Sequence, residues 1–330
     1  MMLMVGLLFW GGLYARELNP RFQHYTVEHG LAQNTVYCIL QDRRGFMWFG
    51  TEQGLDRFDG YKFLLHKYQY DDPNSLSHPY ILSICQDASG ILWIGTNGGG
   101  LNRYDPDTER FTHYFVEPGN PDHPGSIINA IVEDHSRVLW IGTAAGLFRF
   151  HREKGSFTSF PVSAAGFTGG KPYSVKALCE DRSGTLWIGA DEGLLQLSRE
   201  RDRLIPHPQG ITGVLSFLEA RPNDGSYSHP SVFGEKKQKQ DFLSKADGFS
   251  DGFLENREGV LWVGTENGFY IGVPATGNKN GDDSGNREFL HYRIPGDEKN
   301  STLANRIKCI YEDRFGIFWL GTDYGLHSFD

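Results

Sequence analysis

Asp87-Ala-Ser-Gly-Ile-Leu-Trp-Ile-Gly-Thr96 is one of six copies of a ten-residue motif that decides the fold. The other copies occupy residues 42–51, 134–143, 181–190, 256–265 and 313–322. Each copy has a tryptophan at its seventh position, and successive tryptophans are 45, 47, 47, 75 and 57 residues apart. A repeat of about 45 residues is typical of the four-stranded blade of a β-propeller. The tryptophans predicted to be structural are Trp48, Trp93, Trp140, Trp187, Trp262 and Trp319.

The residues around each motif predict the four strands of a blade. In the second copy the first strand contains Ile81 and Ile84, and the Asp-x-x-Gly turn closes a hairpin in which the glycine has a positive φ. The motif tryptophan lies on the second strand, Leu101 begins the third, and Phe111–Tyr114 forms the fourth. We expect the indole to fill the wedge between blades and the following glycine to admit the next blade.

The two ends of the chain predict how the ring closes. Phe22–Tyr25 has the pattern of a fourth strand with no blade before it, and the last repeat reaches Asp330 without a fourth strand. An N-terminal strand that completes the last blade would leave no open edge. The sequence therefore predicts an all-β propeller of six blades, and seven blades in a longer parent chain remain an alternative. The long fourth spacing predicts an insertion at about 206–244 rather than a further blade.

Composition and the N-terminus restrict the function classes. Residues 1–15 carry no charge and are too short to span a bilayer, which predicts a signal peptide cleaved after Ala15 and a propeller domain over 16–330. The expected location is periplasmic or otherwise extracytoplasmic. The formal net charge is −9, and the sequence has no stripe of clustered Lys and Arg residues. Both features argue against a nucleic-acid partner.

The sequence contains no recognisable catalytic motif. It lacks a His-Glu-x-x-His pair, a Gly-x-Ser-x-Gly elbow, a phosphate loop and a dinucleotide fingerprint, so we expect no catalytic residue, metal or cofactor. The motif aspartates are interpreted as structural because they recur at one turn. The four cysteines fall on first strands of different blades, too far apart for bridges, which predicts free buried thiols. They are Cys38, Cys85, Cys179 and Cys309.

Candidate ligand-binding residues lie on one face of the predicted ring. The loops from fourth to first strand and from second to third strand share that face, and positions that vary among the copies are the candidates. They are Glu52, Asn97, Asp191, Glu266, Asp323, Tyr324, Tyr37, Tyr80, Asn129, Tyr173, Lys176, Arg306 and Lys308. Carboxylates, amides and aromatic rings on one rim suit a sugar, although ordinary solvated loops would also look like this.

The repeated Asp-x-x-Gly-x-Leu-Trp-Ile-Gly-Thr-x-x-Gly-Leu pattern resembles the two-component regulator propeller repeat, from about Arg21 to Asp330. Such repeats form the periplasmic sensor region of hybrid two-component histidine kinases. Three copies depart locally from the pattern, at Arg137, Asn256 and Ala190.

The resemblance implies a sensor that binds a small ligand such as an oligosaccharide. It also implies signalling to a histidine kinase module absent from this chain, and a homodimer formed through a C-terminal continuation. Two alternatives stay open: an exported propeller hydrolase or lyase acting on a glycan, and a protein-interaction platform.

Overall fold

Six four-stranded antiparallel sheets make up the part of the chain that the structure, a computed structural model, describes. The described residues are 21–120, 122–160, 173–180, 184–190, 193–198, 203–206, 249–255, 260–274, 287–295 and 300–330. Each sheet is one predicted blade, so the all-β propeller expected from the sequence is confirmed. Within the described ranges, no helix has the length and apolar character needed to cross a bilayer.

The first three blades are built from consecutive antiparallel strands. The first blade contains β2 (Val36–Gln41), β3 (Met47–Thr51), β4 (Gly54–Phe58) and β5 (Phe63–His66). The second contains β6 (Ile81–Gln86), β7 (Leu92–Thr96), β8 (Leu101–Asp105) and β9 (Arg110–Tyr114). The third contains β10 (Ile128–Glu133), β11 (Leu139–Thr143), β12 (Gly146–His151) and β13 (Ser156–Phe160).

The remaining blades follow the same order, except that the sixth borrows a strand. The fourth contains β14 (Val175–Glu180), β15 (Leu186–Ala190), β16 (Gly193–Ser198) and β17 (Arg203–Pro206). The fifth contains β18 (Phe249–Glu255), β19 (Leu261–Thr265), β20 (Gly268–Pro274) and β21 (Arg287–Tyr292). The sixth contains β22 (Ile307–Glu312), β23 (Phe318–Thr322) and β24 (Gly325–Phe329), preceded by a one-turn helix α1 (Ser301–Ala304).

The strand that completes the sixth blade comes from the other end of the chain. β1 (Gln23–Tyr25) pairs antiparallel with β24, and His24 lies opposite His327. The first strands of the blades are innermost, and contacts between them run from β18 through β22, β2, β6 and β10 to β14. The predicted closure by an N-terminal strand is therefore confirmed.

Five of the six motif tryptophans pack between neighbouring blades, as predicted. The ring centroid of Trp48 is 5.4 Å from that of Tyr104 in the second blade, and that of Trp319 is 5.6 Å from Phe49 in the first. Trp48 is 1% exposed and Trp319 is 6% exposed. Trp187 is only half-buried. Trp48, Trp93, Trp140, Trp262 and Trp319 each belong to a hydrophobic cluster shared with the next blade.

The glycine two positions after the tryptophan has no space for a side chain. A Cβ on Gly95 would lie 2.6 Å from Cγ2 of Ile128 in the next blade. A Cβ on Gly321 would lie 2.7 Å from the carbonyl oxygen of Val36, where the sixth blade meets the first. Real Cβ atoms do not approach so closely, so the glycine permits the inner strands to meet.

Each of four motif aspartates supports both its turn and its indole. In the second blade Oδ1 of Asp87 accepts the backbone N–H groups of Ser89 (2.9 Å) and Ile91 (3.1 Å). Its Oδ2 accepts the indole N–H of Trp93 at 2.8 Å. The same indole bond joins Asp42 to Trp48, Asp134 to Trp140 and Asp313 to Trp319.

Trp262 keeps the packing of the other motif tryptophans but differs in its hydrogen bonding. It is 4% exposed, and its ring stacks on that of Phe318 in the sixth blade with centroids 4.2 Å apart, so its predicted role between blades is confirmed. Its indole N–H, however, is buried without a hydrogen-bond partner among the described residues. The fifth copy begins with Asn256, which lies outside the described residues, where the four bonded copies have an aspartate.

A second contact between blades was not predicted. Oε1 of Gln86 accepts the backbone N–H of Arg43 at 2.9 Å, which links the end of β6 to the β2–β3 turn of the preceding blade. Glu133 and Glu180 repeat this contact with Ala88 and His135. Gln41 of the first blade makes the same contact with Arg314 of the sixth blade. The signal was present in the sequence, because a Gln or Glu precedes the first motif residue in all six copies.

The remaining predictions have mixed outcomes. None of the four cysteines forms a disulfide bond: Cys85 and Cys179 are buried, whereas Cys38 and Cys309 are only half-buried. The predicted signal peptide at 1–15 lies outside the described residues. So does the predicted insertion at 206–244, apart from Pro206 at the end of β17.

Candidate ligand-binding site at the channel mouth

The second residue of an inner strand is placed by a β-bulge. In the first blade Val36 pairs with Thr51 and Cys38 with Gly50, so Tyr37 is the extra residue between them. The same shift occurs at Asn129, Lys176 and Lys308. A bulge redirects the side chain of the extra residue, which explains why these positions differ among otherwise similar blades.

Tyr37, Glu52 and Tyr80 form one half of a polar cluster at the mouth of the channel. The hydroxyl of Tyr37 donates to Oε1 of Glu52 at 2.7 Å. The ring centroids of Tyr37 and Tyr80 are 4.9 Å apart. Gln33, which the sequence analysis did not single out, donates its amide N–H to Oε2 of Glu52 at 3.5 Å.

Arg306, Lys308 and Asp323 form the other half, at the start of β22 and in the β23–β24 turn. Oδ2 of Asp323 lies 3.3 Å from Nη1 of Arg306, and Oδ1 lies 3.4 Å from Nζ of Lys308. The guanidinium of Arg306 also reaches Oε1 of Glu266, at 3.6 Å, in the turn of the fifth blade. These side chains are partly exposed, so each pair contributes at most about 1 kcal/mol and can be exchanged for a ligand.

Electrostatics connect the two halves. Burial raises the pKa of Tyr80, and the negative charges of Glu52 and Asp323 raise it further. Burial and the hydrogen bond to Glu52 also raise the pKa of Tyr37. Both phenols are therefore neutral at physiological pH, and Tyr37 uses its single O–H donor on Glu52. We call these residues, Tyr37, Glu52, Tyr80, Glu266, Arg306, Lys308 and Asp323, the mouth cluster.

Two of the predicted site residues have structural contacts instead. Tyr173 is buried, and its hydroxyl donates to the carbonyl oxygen of Phe160 at 2.8 Å. The hydroxyl of Tyr324 accepts from the Asn300 amide, and its ring lies 5.6 Å from His24 at the closure. The structure thus does not bring Tyr173 or Tyr324 to the mouth cluster.

Of the other predicted positions, Asn97 contacts the mouth cluster, Asn129 and Lys176 lie on the inner strands of the third and fourth blades, and one is not described. The side-chain amide of Asn129 donates to the carbonyl oxygen of Val175 at 2.8 Å. The backbone N–H of Asn97 donates to the carbonyl oxygen of Tyr80 at 2.9 Å and so fixes the Tyr80 loop. Lys176 is half-buried at its bulge, and Asp191 lies outside the described residues. No group of His, Cys, Asp or Glu in the described ranges is arranged to hold a metal ion.

The fold and its inner-strand geometry place the chain among the β-propellers. The model of the two component regulator propeller family matches residues 30–53, 75–98, 169–192 and 302–324. These matches fall on the first, second, fourth and sixth blades, and the two unmatched blades contain the departures at Arg137 and Asn256. Four of the six blades thus contain a segment that matches the two component regulator propeller repeat.

Known proteins of similar sequence or structure include a histidine kinase, the extracellular domain of a putative two-component system and a lyase. Histidine kinase P4 of Formosa agariphila is 38% identical over 65 residues, which cover 20% of this chain and 5% of that protein. The extracellular domain of the putative hybrid two-component system BT3049 from B. thetaiotaomicron has a TM-score of 0.60 and 22% identity. The similarity covers 94% of this chain, which in turn spans only 41% of that domain.

Virginiamycin B lyase from Staphylococcus aureus has a TM-score of 0.56 and 11% identity. The similarity covers 94% of this chain and 99% of the lyase. At identities this low, both structures establish the propeller fold and leave the chemistry to the residues of this chain.

Proposed function

We propose that the chain is the extracytoplasmic ligand-sensing propeller of a two-component signalling system and that its mouth cluster binds an oligosaccharide. The observation that carries this proposal is the convergence of the packed, tilted rings of Tyr37 and Tyr80 with the Asp323 ion pairs at one end of the channel. Tyrosine rings provide flat apolar surface for a sugar ring, and the surrounding carboxylates and donors match its hydroxyl groups.

Signalling requires a histidine kinase module in addition to a ligand-binding domain. We propose that a C-terminal continuation carries the histidine kinase module and forms a homodimer, in line with the repeat family and the named relatives. Ligand binding must then favour one arrangement of the dimer, because equal affinity for two arrangements changes neither population. The chain itself would bind without catalysing a reaction and without a cofactor or nucleic acid.

The binding step is tested by calorimetry with a panel of oligosaccharides. We expect at least one to bind, and Tyr37→Ala to weaken that binding by about tenfold or more, because the ring and its donor to Glu52 are lost. Tyr61→Ala is the control, since Tyr61 is 96% exposed in the β4–β5 turn at the other end of the blade. Failure of every saccharide to bind, or equal binding by the two variants, would contradict the proposal.

A glycan lyase or hydrolase is the second candidate because nearly the whole chain aligns with virginiamycin B lyase. Mass spectrometry of the same incubations separates the two functions. Cleaved products would support the enzyme, and binding with intact saccharide supports the sensor. A protein-interaction platform would give neither result.

A further inference from the structure

A cavity of about 320 Å³ lies between the β3–β4 turn of the first blade and the β5–β6 loop. It is lined by Ala32, Gln53, Leu65, Lys67, Tyr68 and Pro79. Gln53 directly follows Glu52 along the chain, and Pro79 directly precedes Tyr80, so the cavity adjoins one half of the mouth cluster. Its volume lies at the lower end of the range for small-molecule pockets. A saccharide held at the mouth cluster would therefore meet this cavity with its next unit.

The cavity depends on residues that are particular to the first blade. In the second blade Ser77 takes the place of Ala32, and its hydroxyl donates to the carbonyl oxygen of Gly99 at 2.7 Å. The turn is also one residue longer there: Oγ1 of Thr96 donates to the carbonyl oxygen of residue 100, whereas that of Thr51 donates to residue 54. The first blade thus lacks a hydroxyl and a turn residue at this place.

Lys67 gives the cavity a positive charge. Its ammonium group forms no hydrogen bond or ion pair with any other described residue, and the side chain is exposed. Glu52, in the adjacent turn, already accepts hydrogen bonds from Tyr37 and Gln33. An ammonium group without an adjacent counter-ion favours an anionic ligand.

The carboxyl group of Asp56 lies behind the cavity wall and does not line the cavity. Its Oδ2 accepts the backbone N–H of Ala32 at 3.0 Å, and Asp56 lies opposite Leu65 in the β4–β5 pairing. Burial raises the pKa of Asp56 to about 7, against the Ala32 N–H and the charge of Lys67, which lower it. At pH 6.5 this carboxyl group is therefore mostly neutral and offsets little of the Lys67 charge.

The other walls suit a sugar ring. Tyr68 is 41% exposed and supplies an aromatic surface, and Leu65 and Pro79 add apolar contacts. The side-chain amide of Gln53 forms no hydrogen bond with a described residue, so it can both donate to and accept from hydroxyl groups. An aromatic ring, an amide and a cation together match a sugar unit that carries a negative group.

We propose that this cavity is a second subsite of the oligosaccharide site and binds an anionic sugar unit, with its carboxylate or sulfate group at Lys67. The inference rests on the proposed function, because the neighbouring unit of the same saccharide occupies the mouth cluster. A charge-assisted hydrogen bond from the ammonium group selects the charged unit over a neutral one.

Calorimetry at pH 6.5 tests this selection with saccharides that share a backbone and differ in charge. The α-1,4 series contains trigalacturonate, its methyl ester, galactotriose and 6-sulfated galactotriose, and the β-1,4 series contains the corresponding derivatives of cellotriose. We expect a charged member to bind about fivefold or more tightly than its uncharged counterpart. Tighter binding of the carboxylate or of the sulfate ester identifies which anion the subsite takes.

Lys67→Gln should weaken binding of the charged saccharide by about fivefold or more and leave that of its uncharged counterpart unchanged. Lys62→Gln is the matched control, since it removes the same charge from the β4–β5 turn at the other end of the blade. Both lysines are exposed, so both variants should keep the unfolding temperature of the parent protein.

The outcomes distinguish this inference from the proposed function. Equal binding of charged and uncharged saccharides, or equal effects of Lys67→Gln and Lys62→Gln, would overturn the anionic subsite. If uncharged saccharides bind equally well and Tyr37→Ala still weakens them, the oligosaccharide sensor stands without this subsite. If no saccharide of either series or of the wider panel binds, the proposed function fails and the subsite fails with it.

Discussion

The repeated motif uses each side chain for more than one contact. Asp87 holds a tight turn with one oxygen and the indole of Trp93 with the other. The turn then needs a residue with positive φ, which Gly90 supplies at +91°. In the third blade that position is Arg137, at a φ of +64°. The sequence marked Arg137 as a departure, and the structure shows that the chain keeps the turn and accepts the strain.

Replacing that arginine should therefore stabilise the protein. Arg137→Gly relieves a left-handed conformation that a side chain disfavours, and we expect the free energy of unfolding to rise by about 1 kcal/mol. Urea denaturation measures the change. Arg137→Ala serves as the control because it also removes the exposed ion pair to Glu133 but keeps the strain. Equal stability of the two variants would show that the strain is negligible.

Individual strands show where sequence reasoning ends. The strand order, the turn residues and the equivalence of Tyr37, Asn129, Lys176 and Lys308 follow from the repeat alone. Which neighbours those side chains meet depends on bulges and on the distance between blades, and neither is encoded by local pattern. Tyr173 shows the limit, because a loop tyrosine with a candidate position proved to be buried against the carbonyl oxygen of Phe160.

The strand pair β1–β24 should make stability depend on pH. His327 is 2% exposed, its ring stacks on that of His24 with centroids 4.4 Å apart, and neither of its nitrogens has a hydrogen-bond partner in the described part of the chain. Burial and the nearby His24 lower the pKa of His327 to about 3, from 6.5. The unfolded chain therefore binds this proton more tightly, and stability falls as the pH drops below 6.5.

We expect this group to reduce the free energy of unfolding by about 3 kcal/mol between pH 7 and pH 4. Thermal unfolding at a series of pH values measures the slope. His327→Phe should flatten it, and the third blade provides the precedent because Phe148 occupies the equivalent strand position. An unchanged slope in this variant would assign the acid sensitivity to other groups.

The ring as a whole depends on a strand supplied from the far end of the chain. Removal of residues 21–25 leaves β24 as an open edge, which invites pairing with other chains. We expect a lower unfolding temperature and concentration-dependent oligomers, measured by calorimetry and size-exclusion chromatography. A synthetic peptide containing Phe22–Tyr25 should reverse both effects, whereas a scrambled peptide should not. A fully stable monomeric truncation would show that closure contributes little.

Most of the ring could be anticipated from the spacing of six tryptophans, because a large buried side chain at one repeated position implies one repeated interface. Even Trp262, whose copy lacks the motif aspartate, packs against the next blade as its position in the repeat requires. The mouth cluster could be anticipated only in part. It arises from differences between blades, such as Tyr37 where the third blade has Asn129, and their meaning emerges only when the contacts are known.

The pairing of β1 with β24 also determines how the ring would respond to force. Residue 21 and residue 330 lie at the same end of the antiparallel pair β1–β24. Tension between them would therefore break the paired positions one after another, with His24 and His327 in the middle of the series. A strand pair pulled apart in this way, one hydrogen-bonded pair at a time, separates at a far lower force than a strand pair whose bonds are all loaded together in shear. A tether attached at these two points would open the ring at one place and leave the other blade contacts unloaded.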